Sequence, residues 1–167
     1  YGSFYQIQEN IFEFPSLAAA LLKYKKHEWI IVAFERDKKV NLIWVNKGFN
    51  RTSVSLHLPI GQVAKIATEK MQNSIFIFHN HPNINPNYYD CRKPSEKDIN
   101  SAKEFSSVLN NRGFNLLEFI CERGRHYEYF LSPSDKFLPF QEFVLAINNV
   151  NGQTKARNLL LHLERIF

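Results

Sequence analysis

The sequence predicts a mixed α/β fold, a central sheet flanked by helices. Three observations predict it. Short β-branched and aromatic runs, such as EWIIVAFERD at 28–37 and SIFIF at 74–78, read as buried strands. Segments with apolar residues at helical spacing alternate with them. The chain of 167 residues, 44% hydrophobic with 15 phenylalanines, is the size of one domain and can bury a substantial core.

In chain order, FYQIQENIFEF at 4–14 alternates loosely and reads as an edge strand or an N-terminal arm. SLAAALLKYKKH predicts a helix over 16–26, with Ser16 at its N-cap and basic residues in the last turn, where they suit the helix dipole. The strand at 28–37 turns at DKK into a hairpin partner, VNLIWVN at 40–46. TSVSLHL at 52–58 alternates and stops at Pro59. Residues 60–73 form a second helix with Ile60, Val63, Ile66, Ala67 and Met71 on one face. A central strand follows at 74–78, then a loop, then a helix over 96–111 with Ile99, Ala102, Phe105, Val108 and Leu109 inward, closed by Gly113. NLLEFICER at 115–123 and HYEYFLS at 126–132 make a second hairpin across Gly124, and 135–149 and 154–167 read as terminal helices separated by Gly152. The organisation expected is an arm or edge strand over 1–15, a core over 16–134 and packed helices over 135–167, one domain in all. A stripe of Leu159, Leu160, Leu163 and Ile166 packs on the core or forms a homodimer or partner face.

Lysine and arginine exceed aspartate and glutamate by 21 to 16, and the excess is scattered, densest in KYKK at 23–26 and RGR at 123–125. Such a surface is ordinarily just solvated, but it can attract an acidic partner, nucleic acid included. Cys91 and Cys121 are too few for a disulfide framework and are not in a CxxC spacing, so a reducing cytoplasm is expected. No apolar run approaches the roughly 20 residues that span a bilayer, so no membrane association is expected.

The chemistry concentrates in HNHP at 79–82 and PSEKD at 94–98. Side chains at i and i+2 of a strand share a face, so His79 and His81 can hold one ion; Pro82 favours the extended backbone this needs. Asp98, in the first turn of the next helix, is the nearest third ligand. Imidazole and carboxylate suit Zn²⁺, whose catalytic form keeps one position for water and lowers that water's pKa from about 15.7 toward about 7. Ser95 could donate its hydroxyl to a developing alkoxide, and Glu28, at the start of a buried strand, could serve as general base. Glu35 on the same strand is the fallback base, and Asp90 and Cys91 are second-choice ligands. Each part has a plainer explanation. Ser95 and Asp98 are also a helix cap. Glu28 could be a solvated strand end, and the histidines could be loop surface.

The order Glu28, then His79-Asn80-His81-Pro82, then Ser95-Glu96-Lys97-Asp98 resembles the signature of the JAMM/MPN+ (JAB) zinc metallopeptidases; HNHP is the wording of the RadC-like branch. The resemblance covers about residues 16–132. It implies the MPN/JAB, cytidine-deaminase-like fold, with a mostly antiparallel central sheet. It implies one Zn²⁺ on His79, His81 and Asp98, Glu28 as the base that activates water, and Ser95 as the support of the tetrahedral intermediate. The implied reaction is hydrolysis at the C-terminus of a ubiquitin or ubiquitin-like modifier, with that protein or its conjugate as partner and a partner subunit in some members. The alternatives are a RadC-like nucleic-acid-associated protein or metal-dependent nuclease, and a non-catalytic MPN scaffold. The loop from Pro82 to Ser95 is longer than the family's usual spacing, which makes Asn83 to Lys93 the suspected substrate-binding segment.

Overall fold

A computed structural model describes residues 2–85, 89–136 and 140–151. Its centre is one six-stranded sheet in the order β1-β3-β2-β4-β5-β6. The strands are β1 (Gly2–Asn10), β2 (Trp29–Arg36), β3 (Lys39–Lys47), β4 (Ser74–Asn80), β5 (Asn115–Glu122) and β6 (Arg125–Ser132). Only β4 and β5 run parallel; the other neighbours are antiparallel. The helices are α1 (Phe14–Leu22), α2 (Ile60–Glu69), α3 (Glu96–Asn111) and α4 (Phe140–Asn151). Parallel strands need a crossover, and α3 provides it. The mixed α/β class and the mostly antiparallel sheet are as expected.

Strand alternation splits the core into two layers. Ile31, Ala33, Phe76, Phe78, Leu117 and Phe119 pack against α1 and α4. Ile30, Val32, Phe34, Ile75, Ile77 and Leu116 pack against α2 and α3. Central strands buried on both faces read as continuous apolar runs, which is why β4 and β5 are legible in the sequence. Phe78 stacks on Phe119 at 4.8 Å between centroids and meets Phe14 edge-on at 5.5 Å.

Several expectations need correction. Of the two alternatives for residues 4–14 the edge strand is the one found, β1 pairing with β3, but it ends at Asn10. The first helix begins at Phe14, not at Ser16, because Pro15 suits the first turn and Phe14 is buried beneath it. It ends at Leu22, so the lysines beyond it lie outside the last turn. Residues 52–58 alternate but form no strand: the side chain of Asn46 takes their backbone groups instead, donating to Ser55 O at 2.9 Å and accepting from His57 N at 3.1 Å. Met71 does not face inward; it lies past the end of α2 with φ 52° and is 70% exposed. β4 runs two residues further than expected, to Asn80. The last described helix starts at Phe140 rather than 135; residues 154–167 and the stripe Leu159, Leu160, Leu163 and Ile166 lie outside the described residues.

Both hairpin turns hold two residues at positive φ, Asp37-Lys38 and Arg123-Gly124. This matches the two-residue turn whose twist suits a hairpin. Only the second carries a glycine.

Candidate metal centre

The end of β4 is held by Asn80. Its side chain accepts from Trp29 N at 2.6 Å and donates to His27 O at 2.9 Å. These bonds lock the end of β4 to the start of β2. His79 is 5% exposed and turns toward the α2 and α3 side. His81 N donates to Cys121 O at 3.0 Å, so the extended path continues past the strand and both rings share a side. Their Nε2 atoms stand 2.9 Å apart.

Asp98 completes the cluster from the first turn of α3. Its Oδ2 lies 3.4 Å from His79 Nε2 and 3.3 Å from His81 Nε2. The same side chain closes a capping box: Ser95 N donates to Asp98 Oδ2 at 2.9 Å, and Asp98 N donates to Ser95 Oγ at 3.1 Å. Capping and clustering are therefore compatible, because the cap is what fixes the carboxylate's position. His79, His81 and Asp98 are the three residues that could hold a metal ion among the described residues.

The donor chemistry fits a cation. His81 Nδ1 lies 2.8 Å from the carbonyl oxygen of Cys91 and donates to it, which leaves Nε2 with its lone pair in the neutral ring. Two ring nitrogens and a carboxylate oxygen then converge, a donor set that suits a cation. Burial lowers the affinity of both rings for protons, but at His81 the carboxylates of Asp98 and Glu28 outweigh it and the pKa rises. Burial would raise Asp98, yet hydrogen bonds from His79 and His81 hold it well below the usual carboxylate range.

Glu28 sits immediately before β2, 7% exposed. Its N–H donates to Asn50 O at 2.9 Å and its carbonyl accepts from Gly48 N at 2.7 Å, which pins it in place. Its Oε1 is 3.9 Å from His81 Nε2. That is too far for a hydrogen bond but close enough to act on a group held between them. Burial lifts its carboxyl to about 7, with His81 opposing and Asp98 adding. Glu28 is thus no solvated strand end. Glu35, the fallback base, pairs with Ser74 at the opposite end of β4 and accepts from Lys38 N in the hairpin turn.

Glu28, His79, Ser95 and Asp98 share one cavity of about 370 Å³. Ser95 Oγ accepts from Asp98 N and still has its proton to donate. The sequence reading missed two other residues of this cavity, Glu118 and Tyr129. Glu118 had a signal, a lone carboxylate in an otherwise apolar run; Tyr129 had none. The long loop reaches the centre through its backbone. Cys91 offers its carbonyl to His81, and the cluster found among the described residues does not include its thiol. Asn83 and Ile84 line a second cavity of about 470 Å³ on the other side of His81. Residues 86–88 and the side chain of Asp90 lie outside what is described.

Among the described residues, that second cavity is lined by Lys23, Lys25, Lys26, Arg51 and Arg123 and by no carboxylate. Cys91 and Cys121 form no disulfide among the described residues. Among the described residues no helix is long and apolar enough to cross a membrane.

No curated protein shows significant similarity to the chain. Residues 10–131 match the family model described as a RadC-like JAB domain. The match takes in α1 through nearly all of β6, and with them Glu28, His79, His81, Ser95 and Asp98. It spans well over half of the sequence, and the chain belongs to the RadC-like JAB domain family.

Proposed function

We propose that this protein is a zinc-dependent peptidase or isopeptidase that cleaves at the C-terminus of a ubiquitin-like modifier. The observation that carries the reading is the convergence of His79, His81 and Asp98 with Glu28 leaning toward them from the neighbouring strand. Two imidazoles and a carboxylate are a catalytic zinc's usual set of three protein ligands. A bound zinc would supply Lewis acidity and an activated water. Glu28, poised at about 7 by burial, can take a proton and return it to a leaving amine near neutral pH. Ser95 can donate to the oxygen that gains charge, from the same cavity wall as Asp98. The modifier as substrate follows from the resemblance of the Glu28, His-x-His-Pro and Ser-x-x-Asp order to the JAMM peptidases.

Metal content and turnover test this together. The purified protein should hold about one zinc per chain, and His81→Ala should lose it. Glu28→Gln should retain the zinc while cleavage of a ubiquitin-like C-terminal amidocoumarin falls by about 10²- to 10⁴-fold, the usual contribution of a general base. Wild-type turnover in Glu28→Gln would remove the mechanism.

A second reading, a nucleic-acid-associated protein, is favoured by the cation-lined cavity and by Tyr24 within it, which is 82% exposed. Basic grooves with exposed aromatics suit single strands. Retention of a single-stranded oligonucleotide that falls steeply with salt would support it.

A further inference from the structure

Glu118 is the carboxylate that the proposed mechanism leaves unused. It lies in the middle of β5, opposite Ile77 on β4, and is 3% exposed. Its Oε1 accepts from Tyr129 Oη at 2.9 Å. Among the described residues its Oε2 has no partner, and it is buried from solvent. A buried polar atom without a partner costs free energy, so such a residue calls for a reason. Burial raises its carboxyl to about 8, which lets it sit uncharged near Asp98 at neutral pH.

Tyr129 reaches Glu118 through an irregularity in β6. Phe130 pairs with Glu118 and Glu128 pairs with Phe119, so Tyr129 is the extra residue of a β-bulge. In a regular strand Tyr129 and Phe130 would face opposite sides of the sheet. Phe130 packs against the α2 and α3 layer. The bulge turns Tyr129 to that side as well, where it bonds Glu118 and meets the ring of His79 edge-on at 5.8 Å and 89°. Bulges commonly re-aim a side chain beside a functional site. Glu118 and Tyr129 both line the cavity that holds His79 and Asp98.

We propose that Glu118 and Tyr129 are a positioning pair: Glu118 anchors the Tyr129 hydroxyl, and the anchored ring fixes the plane of His79 so that its Nε2 points at the metal position. The inference rests on the metal-centre reading and extends it to a layer behind the ligands. Partners in that layer commonly alter metal affinity by about 10- to 100-fold.

The test is zinc affinity by competition with a chromophoric chelator, the absorption bands of the Co²⁺-loaded protein, and the melting temperature of the metal-free protein. Tyr129→Phe keeps the ring and removes the tether. It should weaken zinc binding about tenfold and shift the cobalt bands. Glu118→Ala removes the tether from the other end and should do the same. Glu118→Gln keeps an acceptor for the hydroxyl and should retain wild-type affinity and bands. Lowered melting temperatures in Tyr129→Phe and Glu118→Ala with unchanged affinity and bands would make the pair merely structural and overturn the inference. If the wild-type protein binds neither zinc nor cobalt, the metal centre itself fails and the inference falls with it.

Discussion

The two cavities that flank the end of β4 are opposites. On the α2 and α3 side, Glu28, Asp98 and Glu118 crowd around His79, and among the described residues Lys97 is the one lysine or arginine in the wall. On the other side, five lysines and arginines surround Asn80 and Pro82, with no carboxylate among the described residues of the wall. His81 divides them: it lines the basic cavity, while its Nε2 faces Asp98. The difference follows from the strand's period of two. His79 is aimed at one layer and Asn80 at the other, and each neighbouring element delivers its own charge to its own side. α3 opens with acids at the first. The segment after α1 and the turn between β5 and β6 bring Lys23, Lys26 and Arg123 to the second. One side carries an excess of carboxylates; the other carries lysines and arginines, of which Arg123 is paired with Glu122.

The most damaging change to the first side should be Asp98→Asn. The amide keeps an oxygen for Ser95 N, so the cap survives, but the charge between the imidazoles is gone. Zinc affinity should fall by more than about 100-fold, beyond the 10- to 100-fold seen for groups behind the ligands. The metal-free protein should lose less than about 1 kcal/mol, the typical worth of a whole cap. Calorimetric zinc titration and thermal melting separate the two. If Asp98→Asn binds zinc as the wild type does, the acidic side is a capping arrangement and the contrast between the cavities is only one of surface charge.

A smaller effect belongs to the basic side. The double variant Lys26→Glu and Arg51→Glu should leave zinc content unchanged. It should weaken retention of a labelled single-stranded oligonucleotide about tenfold and flatten its dependence on salt, by about one unit of slope for each phosphate no longer neutralised. Fluorescence anisotropy across a salt series reads both. Unchanged binding would reduce the basic cavity to a solvated surface. Lost zinc would show that the two sides are not independent.

Much of the acidic side was legible in the sequence, and the reasons for what was not are specific. β2, β4 and β5 announce themselves because strands buried on both faces need unbroken apolar runs. His79 and His81 could be placed on one side because the period of two survives to the end of β4, and Asp98 because a helix start is marked by its cap. What failed depended on tertiary partners. The alternation at 52–58 forms no ladder, because Asn46 satisfies that backbone with its side chain. Tyr129 was invisible because a bulge reverses the side on which it lies, and no single residue of HYEYFLS marks the bulge. The basic cavity was invisible for a related reason: Arg51, Lys26 and Arg123 are far apart in the chain and share a wall only once the sheet has formed.

The subtlest expectation concerns how the acidic side tolerates its own charge. The carboxyl of Glu118 is raised by burial from 4.5 to about 8. Between those values the unfolded chain has released this proton while the folded protein still holds it. The stability contributed by that difference is complete below about 4.5 and is lost as pH rises through about 8. One proton corresponds to a slope of at most about 1.4 kcal/mol per pH unit. Glu118→Gln cannot release a proton in either state, so its metal-free form should lack that part of the slope and gain on the wild type as pH rises. Urea melts of both metal-free proteins at intervals from pH 5 to pH 8 would show the two curves diverging steadily. Parallel curves would mean that Glu118 is charged in the folded protein, and the acidic cavity would then hold one more negative charge than its packing against Tyr129 and Ile77 allows.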